Sequence, residues 1–189
     1  NRFYRLPKQQ VLLDWGARVP PDFTFAIKAS QRITHHARLK EECADALDFL
    51  LRNTAVLGDR MGPILFQLPP TLKKDLPRLR GFLGLLPQGR RYTIEFRHES
   101  WFDDEVFELL RFHGAALMIG DDPRRPFQTH TLTADWTFIR FHYGHRGRNG
   151  NYSDSELDEW AAKINSWTER GCDVYVYCDN DAKVRAPFD

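Results

Sequence analysis

Cysteine is scarce in this chain of 189 residues, and the three present, Cys43, Cys172 and Cys178, show no C-x-x-C spacing. That excludes a disulfide framework and a structural zinc site as organising features. Charge of one sign is lacking too: 27 Lys and Arg face 26 Asp and Glu, so no global excess attracts nucleic acid or an anionic membrane, and any such binding must be local. No apolar stretch approaches the roughly 20 residues of a membrane span. The polar start Asn1-Arg2-Phe3-Tyr4-Arg5 carries no signal-peptide pattern. A cytoplasmic protein without membrane association is the expectation. Repeats, low-complexity tracts and linkers are also missing, so residues 1–189 are expected to form a single domain. A hydrophobic share of 42% is enough to give it a core.

What is present is alternation. Six short apolar runs each end in a charged or hydrogen-bonding residue. They are Phe23-Thr24-Phe25-Ala26-Ile27 before Lys28, Ile64-Leu65-Phe66 before Gln67, and Tyr92-Thr93-Ile94 before Glu95, Phe96, Arg97 and His98. Ala116-Leu117-Met118-Ile119 precedes Asp121 and Asp122, Trp136-Thr137-Phe138-Ile139 precedes Arg140, Phe141 and His142, and Val174-Tyr175-Val176-Tyr177 precedes Asp179, Asn180 and Asp181. Continuous apolar runs are what parallel strands buried on both faces look like. Helical spacing fills the intervals: residues 8–19, 39–57, 76–86, 103–110, and 153–171, the last opened by a capping box of Ser153 and Glu156. Residues 122–136 read as a longer loop. The class is α/β, and periodicity alone leaves an open doubly wound sheet and a β/α barrel both standing.

Particular strings choose between them. Asn1-Arg2-Phe3-Tyr4-Arg5-Leu6-Pro7, Ile33-Thr34-His35, Phe66-Gln67-Leu68-Pro69-Pro70, Glu95-Phe96-Arg97-His98-x-x-Trp101, Arg140-Phe141-His142, Tyr152-Ser153 and Tyr175-Val176-Tyr177-Cys178-Asp179-Asn180-Asp181 occur in that order. Together they resemble the YecE-like family, known as domain of unknown function 72. The resemblance spans essentially the whole chain. It implies a TIM-type (β/α)8 barrel of which this chain holds about strands three to eight, truncated at both ends, with the first two strands before Asn1. It implies no particular reaction. Asp179 stands where the family pattern has Asn, and Gly120 where Ala is more usual.

In such a barrel the strand ends carry the chemistry. Glu95 and Arg97 share one face of a strand, as do Arg140 and His142. The expected roles are Glu95 as base or hydroxyl acceptor, His35, His98 and His142 as proton carriers, and Arg97 and Arg140 as anion clamps. Lys28, Gln67, Asp121 and Asn180 would position substrate. The glycine-rich basic segment 143–151 follows strand seven by the resemblance, where barrels often hold phosphate. No local metal-ligand spacing exists, so His35, His98, His142, Glu95 and Asp121 are read as non-ligands, no metal is assigned, and the cofactor is unknown. Lys28 as a Schiff-base nucleophile is disfavoured against an ion-paired Lys. The partner expected is a small anionic or sugar-like molecule. The competing reading is nucleic acid gripped by Arg124, Arg125, Arg146 and Arg148, and a third is a non-catalytic binding module, so enzyme status stays open.

Overall fold

A computed structural model describes residues 8–146 and 151–179. They fall into two compact units, Asn1–Trp101 and Phe102–Asp189. In the first unit, α1 (Gln9–Gly16) leads into β1 (Phe25–Lys28), then α2 (Ala44–Thr54), β2 (Met61–Gln67), α3 (Leu76–Gly84) and β3 (Tyr92–Glu95). β2 lies between β1 and β3 and is parallel to both, with Lys28 opposite Leu65 and Gln67 opposite Glu95. The second unit contains α4 (Asp104–Phe112), β4 (Ala116–Asp121), β5 (Trp136–Phe141), α5 (Asp154–Thr168) and β6 (Asp173–Cys178). There β5 is flanked in parallel by β4 and β6, with Gly120 opposite Arg140 and Arg140 opposite Tyr177. Both units are thus α/β with parallel strands, and all six expected runs are strands.

The helix ends follow side-chain chemistry. Asp75 and Asp103 accept the backbone N–H groups of Arg78 and Val106 at 3.1 Å each, capping α3 and α4. Ser153 and Glu156 close the expected capping box on α5. Arg90 donates to the carbonyl of Leu51 near the end of α2, and Arg60 to that of Gly16 at the end of α1. Arg60 thus meets a carbonyl in the last turn of α1, whereas the Leu51 carbonyl already accepts the Ala55 N–H and takes Arg90 as an additional donor.

The backbone departs from regular geometry at two places near the strand ends. β2 begins at Met61, three residues before the apolar run suggested, because its register against β1 shifts between Phe25 and Ile27. The extra residue lies at Gly62-Pro63, a bulge that accommodates a proline with no N–H to give the ladder. A Cβ at Gly62 would also run into the Thr24 side chain and crowd the Phe25 carbonyl, so a larger residue would force Thr24 to shift. Between β1 and α2 the chain makes a π-helical turn, Arg32–His36, after which Arg38 and Leu39 both adopt left-handed backbone, with φ of 51° and 63°. Such conformations are uncommon outside glycine.

Trp101 is the keystone of the first unit's core. It is wholly buried, stacked on Phe96 with ring centres 4.7 Å apart, and its indole N–H donates to the Leu72 carbonyl at 2.7 Å. The contact fastens the loop after β2 to the turn after β3. In the second unit Ile119, Ile139, Phe141, Trp160 and Trp167 form the corresponding core. Replacing Trp101 by Ala is expected to cost about 3–5 kcal/mol in urea unfolding, and by Phe distinctly less, since the stacking survives and the hydrogen bond of about 1 kcal/mol is lost.

Candidate functional site

β2 and β3 end side by side, and their register places Gln67 directly across from Glu95. The Glu95 carboxylate is fully buried, and the Gln67 amide nitrogen lies 2.8 Å from each of its oxygens. Arg97, on the same face two residues on, donates from Nε to Glu95 Oε1 at 2.6 Å while keeping a quarter of its side chain in solvent. The π-helical turn presents His35 to the same region. Burial, then the charges of Arg97, Lys28, His36 and Arg38, hold its imidazole below the usual histidine range. Its Nδ1 is 2.9 Å from the Thr34 hydroxyl. Lys28, Gln67, Glu95, Arg97 and His35 are therefore neighbours within one unit. His98 is anchored in its own turn, where Nδ1 accepts the Ser100 N–H at 3.1 Å.

The second unit has a different constellation at the ends of β5 and β6. Arg140 and His142 lie on one face of the chain leaving β5, and both meet Asp179, just past β6. Arg140 Nη2 is 2.6 Å and His142 Nδ1 3.1 Å from the same carboxylate oxygen. Burial opposes the Asp179 charge, but the His142 hydrogen bond and the Arg140 guanidinium overcome it and hold the group at about 2. The His142 side chain is 7% exposed, and its Nε2 is buried with no hydrogen-bond partner among the described residues. Asp179 was legible only as a departure from the family pattern. The pairing of Phe141 with Cys178 is what sets the next residue beside His142.

Asp121, at the end of β4, is fully engaged. Its oxygens take His145 Nε2 at 2.7 Å and the Trp160 indole N–H at 2.9 Å. Burial and this carboxylate raise the Tyr152 phenol far above its ordinary value. A cavity of about 420 Å3 is lined here by Asp121, His130, His145, Glu156, Trp160 and Lys163, among others. Sequence reasoning placed Trp160 only on a helical stripe and His145 only in a loop. The described start of the basic segment is tied down: Glu156 Oε1 accepts the N–H groups of His145 and Arg146 at 2.6 and 3.0 Å. A carboxylate of the chain itself thus sits where these two amides converge. Among the arginines of the nucleic-acid reading, Arg124 and Arg125 both bind the buried Asp122, and Arg146 pairs with Glu159. Arg148, with the rest of segment 147–150, and Asn180 lie outside the described residues. Among the described residues no three His, Cys, Asp or Glu side chains gather as a metal site, and no helix is long and apolar enough to cross a membrane.

Parallel α/β units whose strand ends carry buried, paired ionic groups define the class: an α/β protein with polar constellations at the carboxyl ends of its strands. The particular family follows from comparison. The chain belongs to the family described as protein of unknown function DUF72, whose model matches residues 1–189. It is similar to the UPF0759 protein YecE of Escherichia coli, 37% identical over 100 residues that make up 52% of this chain and 36% of that protein. It is also similar to the UPF0759 protein YunF of Bacillus subtilis, 26% identical over 217 residues, covering 95% of this chain and 75% of that one. The match thus spans about a third of the YecE protein's length. Among solved structures, a DUF72 family protein from Thermotoga maritima matches with a TM-score of 0.83 and 26% identity, over 98% of this chain and 78% of that one. One from Enterococcus faecalis matches with 0.84 and 18% identity over the same shares.

Glu156 supplies a pH test of the loop clamp. Burial works against its charge, but hydrogen bonds from the Ser153, His145 and Arg146 backbone and the Ser153 hydroxyl lower it from 4.5 to about 2. A depressed carboxylate contributes stability that is complete above its unfolded value and is lost as pH falls through its folded one. Glu156→Gln is therefore expected to be less stable than wild type at pH 7, the gap closing as pH falls from about 4.5 towards 2. Urea midpoints across that range check it.

Proposed function

We propose that this chain supplies about strands three to eight of a TIM-type barrel enzyme acting on a small phosphorylated or polyhydroxylated substrate at the strand-end face. The observation that carries the reading is the His142–Asp179 pair. A carboxylate on Nδ1 fixes the tautomer in which Nε2 bears the lone pair, and Nε2 has no partner among the described residues. Such a nitrogen can take a proton from a hydroxyl or a water that enters the buried strand end. Arg140 keeps Asp179 ionised, so the carboxylate remains to stabilise the imidazolium that the transfer creates. In the first unit, Glu95 with Gln67 and Arg97 offers a fixed array of acceptor and donors suited to hydroxyl groups, and His35 an imidazole held below the usual histidine range by burial and neighbouring cations.

Two features weigh against nucleic acid gripped by the expected arginines. Arg124 and Arg125 share the buried Asp122, and Arg146 is engaged by Glu159, so two of these three positive charges are already offset within the chain. Salt-sensitive DNA or RNA binding would restore that reading.

The test is turnover of a panel of aryl phosphomonoesters, phosphodiesters and aryl glycosides by the intact protein and its variants. Removing a general base is expected to lower kcat about 100- to 10,000-fold in His142→Asn. Asp179→Asn should fall less and change the pH profile. Folded variants that turn over every accepted substrate at the wild-type rate would rule His142 out as the base. Saturable binding of such compounds with no turnover of any by wild type would make the protein a binding module.

A further inference from the structure

We infer that the groove between the loops following β1 and β2 is a phosphate-binding site, taking the phosphate or diphosphate group of a small phosphorylated molecule. The groove encloses about 460 Å3 and is lined by Arg38, Lys40, Thr71, Leu72, Lys73, Lys74, Asp75 and Arg78. Five cations and one carboxylate thus line it, and Lys74 among them is engaged in an interaction of its own. That carboxylate is already engaged: Asp75 caps α3 through the Arg78 N–H and pairs with the Arg78 side chain at 3.0 Å. Arg38, Lys40 and Lys73 form no ion pair among the described residues. Like charges gathered without counter-charge raise the energy of the folded chain, and an anion relieves that repulsion.

Both walls are held in place before any ligand arrives. Trp101 donates to the Leu72 carbonyl, and the Lys74 N–H donates to the Ser100 hydroxyl at 2.8 Å, so the second loop is pinned on two sides. In the first loop the left-handed backbone at Arg38 and Leu39 buries Leu39 and sends Arg38 across the groove, where Nη2 donates to the Thr71 hydroxyl at 3.1 Å. Its Nε is buried and has no partner among the described residues. A guanidinium held at the groove by one nitrogen is suited to a tetrahedral oxyanion. The lining has no aromatic ring, so nothing stacks a base. That favours a phosphate group over single-stranded nucleic acid, which relies on stacking platforms as well as charge. The groove is independent of the His142 reading: it and the His142–Asp179 pair lie in different units, and each test leaves the other untouched.

The experiment titrates inorganic phosphate, pyrophosphate and a short single-stranded oligonucleotide into the intact protein at low salt, by calorimetry and by amide chemical shifts. Pyrophosphate is expected to bind saturably, shifting amides of residues 37–40 and 71–78. Lys40→Ala with Lys73→Ala, two exposed side chains, should weaken it at least about tenfold, and Arg38→Lys should weaken it while retaining charge. Absence of saturable binding by either phosphate, or unchanged affinity in the folded double variant, overturns the site. Oligonucleotide binding in the groove more than about tenfold tighter than pyrophosphate, with a steep salt dependence, overturns the assignment to a small molecule.

Discussion

A carboxylate buried at the end of a parallel strand loses its water and must be met by donors, and this chain meets it with side chains from the strand next door. Glu95 at the end of β3 takes both oxygens' contacts from Gln67 of β2, reinforced by Arg97. At the end of β5 it is the cation that is buried: Arg140, with His142 beside it, meets Asp179 after β6, whose side chain stays 43% exposed. Removing one partner of such a group leaves a desolvated charge, which is more costly than the pair was beneficial. Register is therefore fixed at the polar end as well as in the core. A slip of one residue would turn Gln67 away from Glu95 and point Arg140 to the other face. The ionic groups that offer chemistry are also the groups that hold the strands in step.

The elements of the fold were largely legible because the physics that makes them is local. Continuous apolar runs marked all six strands, and Ser153 with Glu156 marked the start of α5. The first three residues of β2 were not, since Met61-Gly62-Pro63 carries a glycine and a proline that argue against a strand until the bulge opposite β1 is known. The π-helical turn at Arg32–His36 and the left-handed pair after it were equally hidden. Nothing in Arg38-Leu39 announces positive φ, and the burial of Leu39 that goes with it appears only in the folded chain.

Site residues divide in the same way. Alternation along one strand put Glu95 with Arg97 and Arg140 with His142 on shared faces, and those pairings rest on spacing alone. Partners that come from another segment could not be read: Asp179 on His142, Glu156 on the loop amides, Trp160 and His145 on Asp121. The cations of the groove are the extreme case. Each of Lys40, Lys73 and Arg78 taken singly looks like a solvated residue, and only the fold gathers them. Family membership does not bridge the gap, since a shared fold supports many chemistries and function has to be argued from the site.

The proposed proton transfer turns on which nitrogen of His142 carries the proton. Long-range proton–nitrogen correlation of the intact, nitrogen-labelled protein reads the tautomer of each histidine directly, without any substrate. The neutral His142 ring is predicted to show a protonated Nδ1 and an unprotonated Nε2, and Asp179→Asn is predicted to shift that balance. An Nε2-protonated ring in the wild type, or a tautomer indifferent to Asp179, would contradict His142 as the base.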